Sequence, residues 1–407
     1  MIKQISLSSL FVALIITAPG CGAKSNSSTN ASVNSPSNYS PVTSGPNVMP
    51  VTVGKSTVCG QNVVSGQTYS NPNEPCTSVT ICVPGTSNCQ TISDVLVDTG
   101  STGLRLFSSV VTLSLTTVTV GSSQIAECAN FGSGSDWGPI ATAQINLASE
   151  PSVQTSIQLI NANYATVPSV CKGSDTAPSE AGFNGILGVG LFKQDCGDSC
   201  AKSANQSMYY SCSGSNCATT TLPVTTQLQN PIALLPTDNN GLIFELPNLT
   251  SASGSTSVTG SIVLGIGTES NNSPSGATEF AANGEGNFDT NYNNSNQSGS
   301  FIDSGSNGLF FSSNITTCSS GFYCPSSTES LSAIISGTSG SPQTQINFQI
   351  ANESTLTSNG NLVFNNLGGS VSIGGFDWGL PFFFGRKVYV GIESQTSSLG
   401  TGPYWAF

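Results

Sequence analysis

An all-β chain made of two related halves is predicted by three features of the sequence. Short runs rich in Val, Ile and Phe alternate with clusters of Gly, Asn and Ser, the pattern of many strands joined by turns. No long helical periodicity runs through the 407 residues, and the best helix candidates are two short stretches, residues 222–228 and 330–335. The third feature is a repeat. Val97-Asp98-Thr99-Gly100-Ser101-Thr102-Gly103-Leu104 matches Ile302-Asp303-Ser304-Gly305-Ser306-Asn307-Gly308-Leu309, with Asp, Gly, Ser, Gly and Leu identical. The offset, 303 − 98 = 205 residues, is half a protein and not a solenoid period.

The chain begins with an export signature. Lys3 precedes an apolar run from Leu10 to Ile16, too short to span a bilayer, and Ala18-Pro19-Gly20-Cys21 follows, similar to a bacterial lipobox. Residues 1–21 are therefore expected to be a lipoprotein signal with lipidation at Cys21. Of 13 cysteines, 13 − 1 = 12 then remain, an even number suited to disulfides in an oxidising compartment. The close pairs Cys82 and Cys89, Cys196 and Cys200, Cys212 and Cys217, and Cys318 and Cys324 could each close a small loop, but sequence does not fix connectivity. Residues 22–50, mostly Ser, Asn, Thr and Pro, are expected to be a flexible tether. Strand-like alternation starts near Val51, giving a first half at 51–240 and a second at 241–407, with their junction at 236–250. Residues 193–217, with four cysteines, have the character of a stapled insertion.

Composition excludes several function classes. The net charge of −12 offers no basic footprint for nucleic acid. There is no histidine, which removes Ser-His and Cys-His catalysis and His-ligated zinc. Gly185–Gly190 contains Gly-Val-Gly but lacks a nucleotide-binding context, and Ser199-Cys200-Ala201-Lys202 lacks the partner motifs of Ser-Lys enzymes. No cofactor and no metal are expected.

Each repeat unit has its own chemistry. An apolar strand delivers an Asp to a Gly-containing turn, where the Gly N–H and the following Ser hydroxyl can donate to the carboxylate. Two such turns face to face would bring together two carboxylates that cannot both ionise easily and so share one proton. One then acts as a base towards water, the other as an acid towards a carbonyl.

These motifs resemble those of the pepsin-like aspartic peptidases, whose dyad is a standard illustration of split carboxylate pKa values. Asp98-Thr99-Gly100-Ser101 is similar to the first-lobe signature and Asp303-Ser304-Gly305-Ser306 to the second. Phe131-Gly132-Ser133-Gly134-Ser135, running on to Gly138, resembles the hairpin flap over the substrate. Asn184-Gly185-Ile186-Leu187-Gly188 and the run Trp378–Arg386 resemble the elements beside the two catalytic turns. The late run is also similar to a family of bacterial secreted relatives of aspartic peptidases. The resemblance implies a bilobal double β-barrel with a central cleft and few short helices. It implies a catalytic pair, Asp98 and Asp303, supported by Gly100, Ser101, Gly305 and Ser306, with Thr99 and Ser304 bracing one turn against the other. Phe131, Gly132 and Trp137 would contact substrate, although Trp137 could equally be a core aromatic. Three departures stand out: the flap Tyr falls on Phe131, the Trp after the first motif on Arg105, and the Gly of the second late element on Pro381.

The expected activity is that of an endopeptidase favouring acidic pH, with a peptide or protein partner and membrane contact only through the lipid. A non-catalytic envelope module binding a peptide or glycan in the same cleft is the second reading, and a purely structural lipoprotein the third. Nothing in the sequence sets an oligomeric state.

Overall fold

The structure is a computed structural model that describes residues 39–407 except Ser133, Lys172, Ser372 and Ile373. The signal segment, Cys21 and most of the expected tether lie outside the described residues.

The fold is all-β. Its α-helices, Pro178–Ala181, Asp198–Lys202 and Glu353–Thr357, have four or five residues each. Six strands close a barrel. Pro75–Cys82 pairs with Cys89–Asp98, which pairs with Gly185–Val189, then come Thr102–Phe107, Val153–Ile160 and Ser135–Asn146, and the last returns to Pro75–Cys82. Cys89–Asp98 shows how sequence writes this. It alternates in burial at its free end and becomes continuously buried at Val95-Leu96-Val97, where it gains a neighbour on each side. A second, nearly closed sheet runs through Gln343–Ile350, Glu329–Ser336, Phe288–Tyr292, Ser295–Ile302, Asp377–Trp378, Leu309–Phe310 and Gly368–Gly369.

Strand Val48–Gly54 joins the barrel to the other half. It pairs with Pro75–Cys82 at Thr52↔Cys76 and with Ser257–Leu264 along its whole length, and Gly241–Glu245, Lys387–Gly391 and Tyr404–Ala406 extend that sheet. One continuous apolar core takes Val97, Leu104 and Leu187 from the first half and Ile302, Leu309 and Trp378 from the second.

Three expectations change. The ordered body begins at least at Tyr39 and not at Val51: the Tyr39 hydroxyl donates to Leu246 O at 2.9 Å and Asn47 is fully buried. Residues 330–335 lie in strand Glu329–Ser336, whose pairing with Gln343–Ile350 imposes a period of two. Residues 222–228 form turns and bridges.

Six disulfides use all twelve remaining cysteines. The four close pairs are joined, together with Cys59–Cys76 and Cys128–Cys171. Such a set is the mark of an exported protein. No helix among the described residues is long and apolar enough to cross a membrane.

Candidate functional site

Asp98 ends strand Cys89–Asp98, and Asp303 follows strand Ser295–Ile302 directly. Each leaves its sheet because a tight turn carries the chain back beside the same neighbour. Gly185–Val189 lies between the two arms of the first turn, with Gly188 opposite both Asp98 and Gly103. A Cβ on Gly188 would stand 2.6 Å from Thr102 N. Strand Asp377–Trp378 plays the same part in the second half, pairing with Phe301-Ile302 and with Leu309–Phe310. There Gly379 makes the close approach, since its Cβ would lie 2.1 Å from Gly308 O. Gly379 thus holds the position expected at Pro381, which instead lies with Leu380 at the start of a short 3₁₀ turn.

The two turns meet through a reciprocal lock. Thr99 N donates to Ser304 Oγ at 3.0 Å, and Ser304 N donates to Thr99 Oγ1 at 2.9 Å. Each hydroxyl then reaches into the other strand, Thr99 Oγ1 to Ile302 O at 3.2 Å and Ser304 Oγ to Val97 O at 2.7 Å. Both residues are buried, so these bonds run without competition from water.

The carboxyls are held in matching ways. Gly100 N donates to Asp98 Oδ1 at 2.7 Å and Ser101 Oγ to Oδ2. Gly305 N donates to Asp303 Oδ1 at 2.8 Å and Ser306 Oγ to Oδ2 at 2.9 Å. Each turn glycine also lies against the opposite carboxyl. A Cβ on Gly100 would stand 2.7 Å from Asp303 Cγ, and one on Gly305 2.9 Å from Asp98 Oδ1. Only glycine leaves room for two acids this close. The Asp303 carboxyl is pushed well above the usual carboxylate range by burial, then by Asp98 and Asp377.

Hairpin Ser123–Asn130 and Ser135–Asn146 turns at Phe131 and Gly132, with Phe131 N donating to Gly134 O at 2.7 Å. Phe131 packs beside Leu96 and Ile186, next to the first turn, and Gly132 is exposed. Of the two readings open for Trp137, flap and core, its surroundings match the core one. It is fully buried in a small core with Cys128, Cys171 and Tyr210, with its indole Nε1 donating to Tyr164 O at 2.5 Å. It stabilises the hairpin from within.

Arg105 belongs to a network that no sequence pattern announced. It is buried, donates to Glu127 at 2.6 Å and to Asp195 at 3.3 Å, and has its guanidinium carbon 5.7 Å from the centre of the Phe131 ring. Tyr209 donates to Asp195 at 2.7 Å within the stapled insertion, and the pairing of Tyr209–Ser213 with Ser123–Asn130 ties that insertion to the hairpin. Glu127 lies far in sequence from Asp195 and Tyr209, and only the Arg for Trp departure at 105 hinted at them. Asp136 lies close by, with Oδ2 buried and unpartnered. Burial pushes its carboxyl up to about 7, with Arg105 pulling down and Asp175 and Glu127 pushing up.

A stability prediction follows from Asp136. An unfolded Asp ionises near ~3.9, so between roughly pH 4 and pH 7 the folded state binds more protons than the unfolded one, and stability falls as pH rises. Asp136→Asn cannot ionise and should flatten this slope. Urea unfolding across that range is the check, and identical slopes for both proteins would contradict it.

The family described as "Protein of unknown function (DUF3443)" matches residues 43–407. Among curated proteins nothing matches the chain.

Proposed function

The chain belongs to the DUF3443 family, and we propose that it is an aspartic endopeptidase of two-lobed, pepsin-like build. Asp98 and Asp303 would hold the attacking water between them. The observation that carries this reading is the reciprocal lock of Thr99 and Ser304, with each carboxyl set against the glycine of the opposite turn. A pair of buried acids is costly to keep unless a function uses it. One of the two, with its proton, polarises the scissile carbonyl, and the ionised partner takes a proton from water. The water oxygen bonds to the carbonyl carbon, the C–N bond then breaks, and the amine leaves with the proton. Ser101 and Ser306 keep each carboxyl in plane, and Phe131 and Gly132 form the tip of the covering flap.

The test is cleavage of a peptide library by the oxidised protein from acidic to neutral pH, with and without chelator. Cleavage insensitive to chelator is expected. Failure to cut at any pH, combined with saturable peptide binding, would replace this reading by a binding module, for which Phe131 in place of a hydroxyl-bearing flap residue is the favouring observation.

Cys21 is proposed as the lipid attachment point of an envelope protein. Cys21→Ser should move the protein from the membrane fraction to the soluble one, and unchanged membrane attachment would rule the anchor out.

A further inference from the structure

Strand Asp377–Trp378 carries a third carboxyl into the site. The repeat shows what is unusual about it. In the first half, Ile186 pairs with Leu96 on one side and Arg105 on the other. In the second, Asp377 pairs with Phe301 and Phe310. The offsets, 301 − 96 = 205 and 310 − 105 = 205, equal that of the two Asp turns, so Asp377 stands where the first half has Ile186. Ile186 packs with Leu96 and with Phe131 of the hairpin tip. Its counterpart Asp377 lies beside Ser306, which holds Asp303, and so stands on the Asp303 side of the site.

Trp378 fixes the orientation. Its ring is fully buried, stacks on Phe376 at 4.1 Å and gives its N–H to Thr290 Oγ1 at 3.1 Å. Successive strand residues point to opposite faces, so Asp377 is turned away from that core. It is 6% exposed, and its Oδ1 is buried without a hydrogen-bond partner. Ser306 touches it, but Ser306 has one proton and gives it to Asp303 Oδ2. Among the described residues no Lys or Arg forms an ion pair with Asp377.

A buried acid oxygen without a donor is costly, and a charge-assisted donor relieves that cost about twice as well as a neutral one. We propose that Asp377 is a specificity-determining residue that receives a basic side chain, Lys or Arg, of the peptide bound on the Asp303 side of the site. This deepens the peptidase reading and rests on it for the identity of the ligand as a peptide. Burial raises the Asp377 carboxyl to about 8, so it holds its proton until the cation of the substrate takes that proton's place and the proton leaves to water. The net charge of −12 acts in the same direction, drawing basic peptides towards the protein.

The experiment compares wild type with Asp377→Asn, which keeps the shape, and Asp377→Ile, which copies the first half. The readout is the ratio of kcat/KM for matched peptides carrying Lys or norleucine next to the scissile bond. Because it is a ratio within one protein, partial loss of folded material cancels. Wild type should favour Lys by about tenfold or more, a difference of ~1.4 kcal/mol, and both variants should lose that preference. Equal ratios in wild type and Asp377→Asn would overturn the proposal. If wild type cuts neither peptide, fluorescence anisotropy with the same two peptides decides. A Lys preference in binding that Asp377→Asn abolishes supports the role of Asp377 while ending the peptidase reading. No preference in wild type ends both.

Discussion

Asp98→Asn and Asp303→Asn should each lower peptide cleavage by on the order of 10³-fold or more, and the double variant should be little worse than either single one, because the two acids act as a unit. The substitution keeps the shape and the Gly100 and Gly305 N–H contacts while removing the shared proton and charge. Wild-type activity should follow a bell-shaped pH curve whose limbs belong to the pair and not to either residue. The acid limb marks the loss of the single negative charge. The alkaline limb marks loss of the shared proton, and it should lie well above the ordinary carboxylate range. Burial, Asp98 and Asp377 all push the Asp303 carboxyl in that direction. Activity should therefore extend from acid further towards neutrality than a free Asp would allow. A variant that cuts as well as wild type would end the dyad mechanism, and an alkaline limb near ~4 would show that burial does not act on the pair.

Arg105→Met is expected to be the most destabilising single change away from the two acids. It leaves Glu127 and Asp195 buried without their cation, a situation that costs about 3–5 kcal/mol, a large share of the stability of an ordinary domain. The loss should be greatest at neutral pH. The Asp195 carboxyl, which burial and Glu127 push up and Arg105 pulls down, would then bind a proton more readily in the folded state than in the unfolded one, so acid should restore part of the stability. The hairpin tip also loses the guanidinium beneath Phe131. Equilibrium denaturation measures this, with Lys202→Ala as the control. The Lys202–Asp198 pair is three-quarters exposed and should contribute nothing measurable. An Arg105→Met protein as stable as that control would show that the network is not coupled to folding.

Much of this protein is written locally. Strand and turn composition predicts all-β structure, because alternation and Gly/Asn/Ser punctuation act over a few residues. The pair of Asp-Gly-Ser turns is legible because each is one contiguous stretch, and the two are nearly identical at 98–104 and 303–309. Four of the six disulfides are also legible as loop closures, their partners lying four to seven residues apart. The other two, at separations of 17 and 43 residues, depend on how the chain returns to itself. The same limit explains where the structure departs from the sequence expectation. Residues 330–335 are strand because Gln343–Ile350 and Phe288–Tyr292 flank them, and tertiary pairing overrides a local preference. Residues 39–50 look like a tether, yet Val48–Gly54 fills the gap beside Ser257–Leu264, more than two hundred residues away. The sequence leaves Trp137 open between flap and core, and the Cys128–Cys171 bridge and Tyr210 enclose it in the core. The Arg105 network and the place of Asp377 beside the two acids join side chains from separate strands. Buried charge gains its partners only through packing, so the chain by itself offers at most the Arg at position 105 and not the partners it meets.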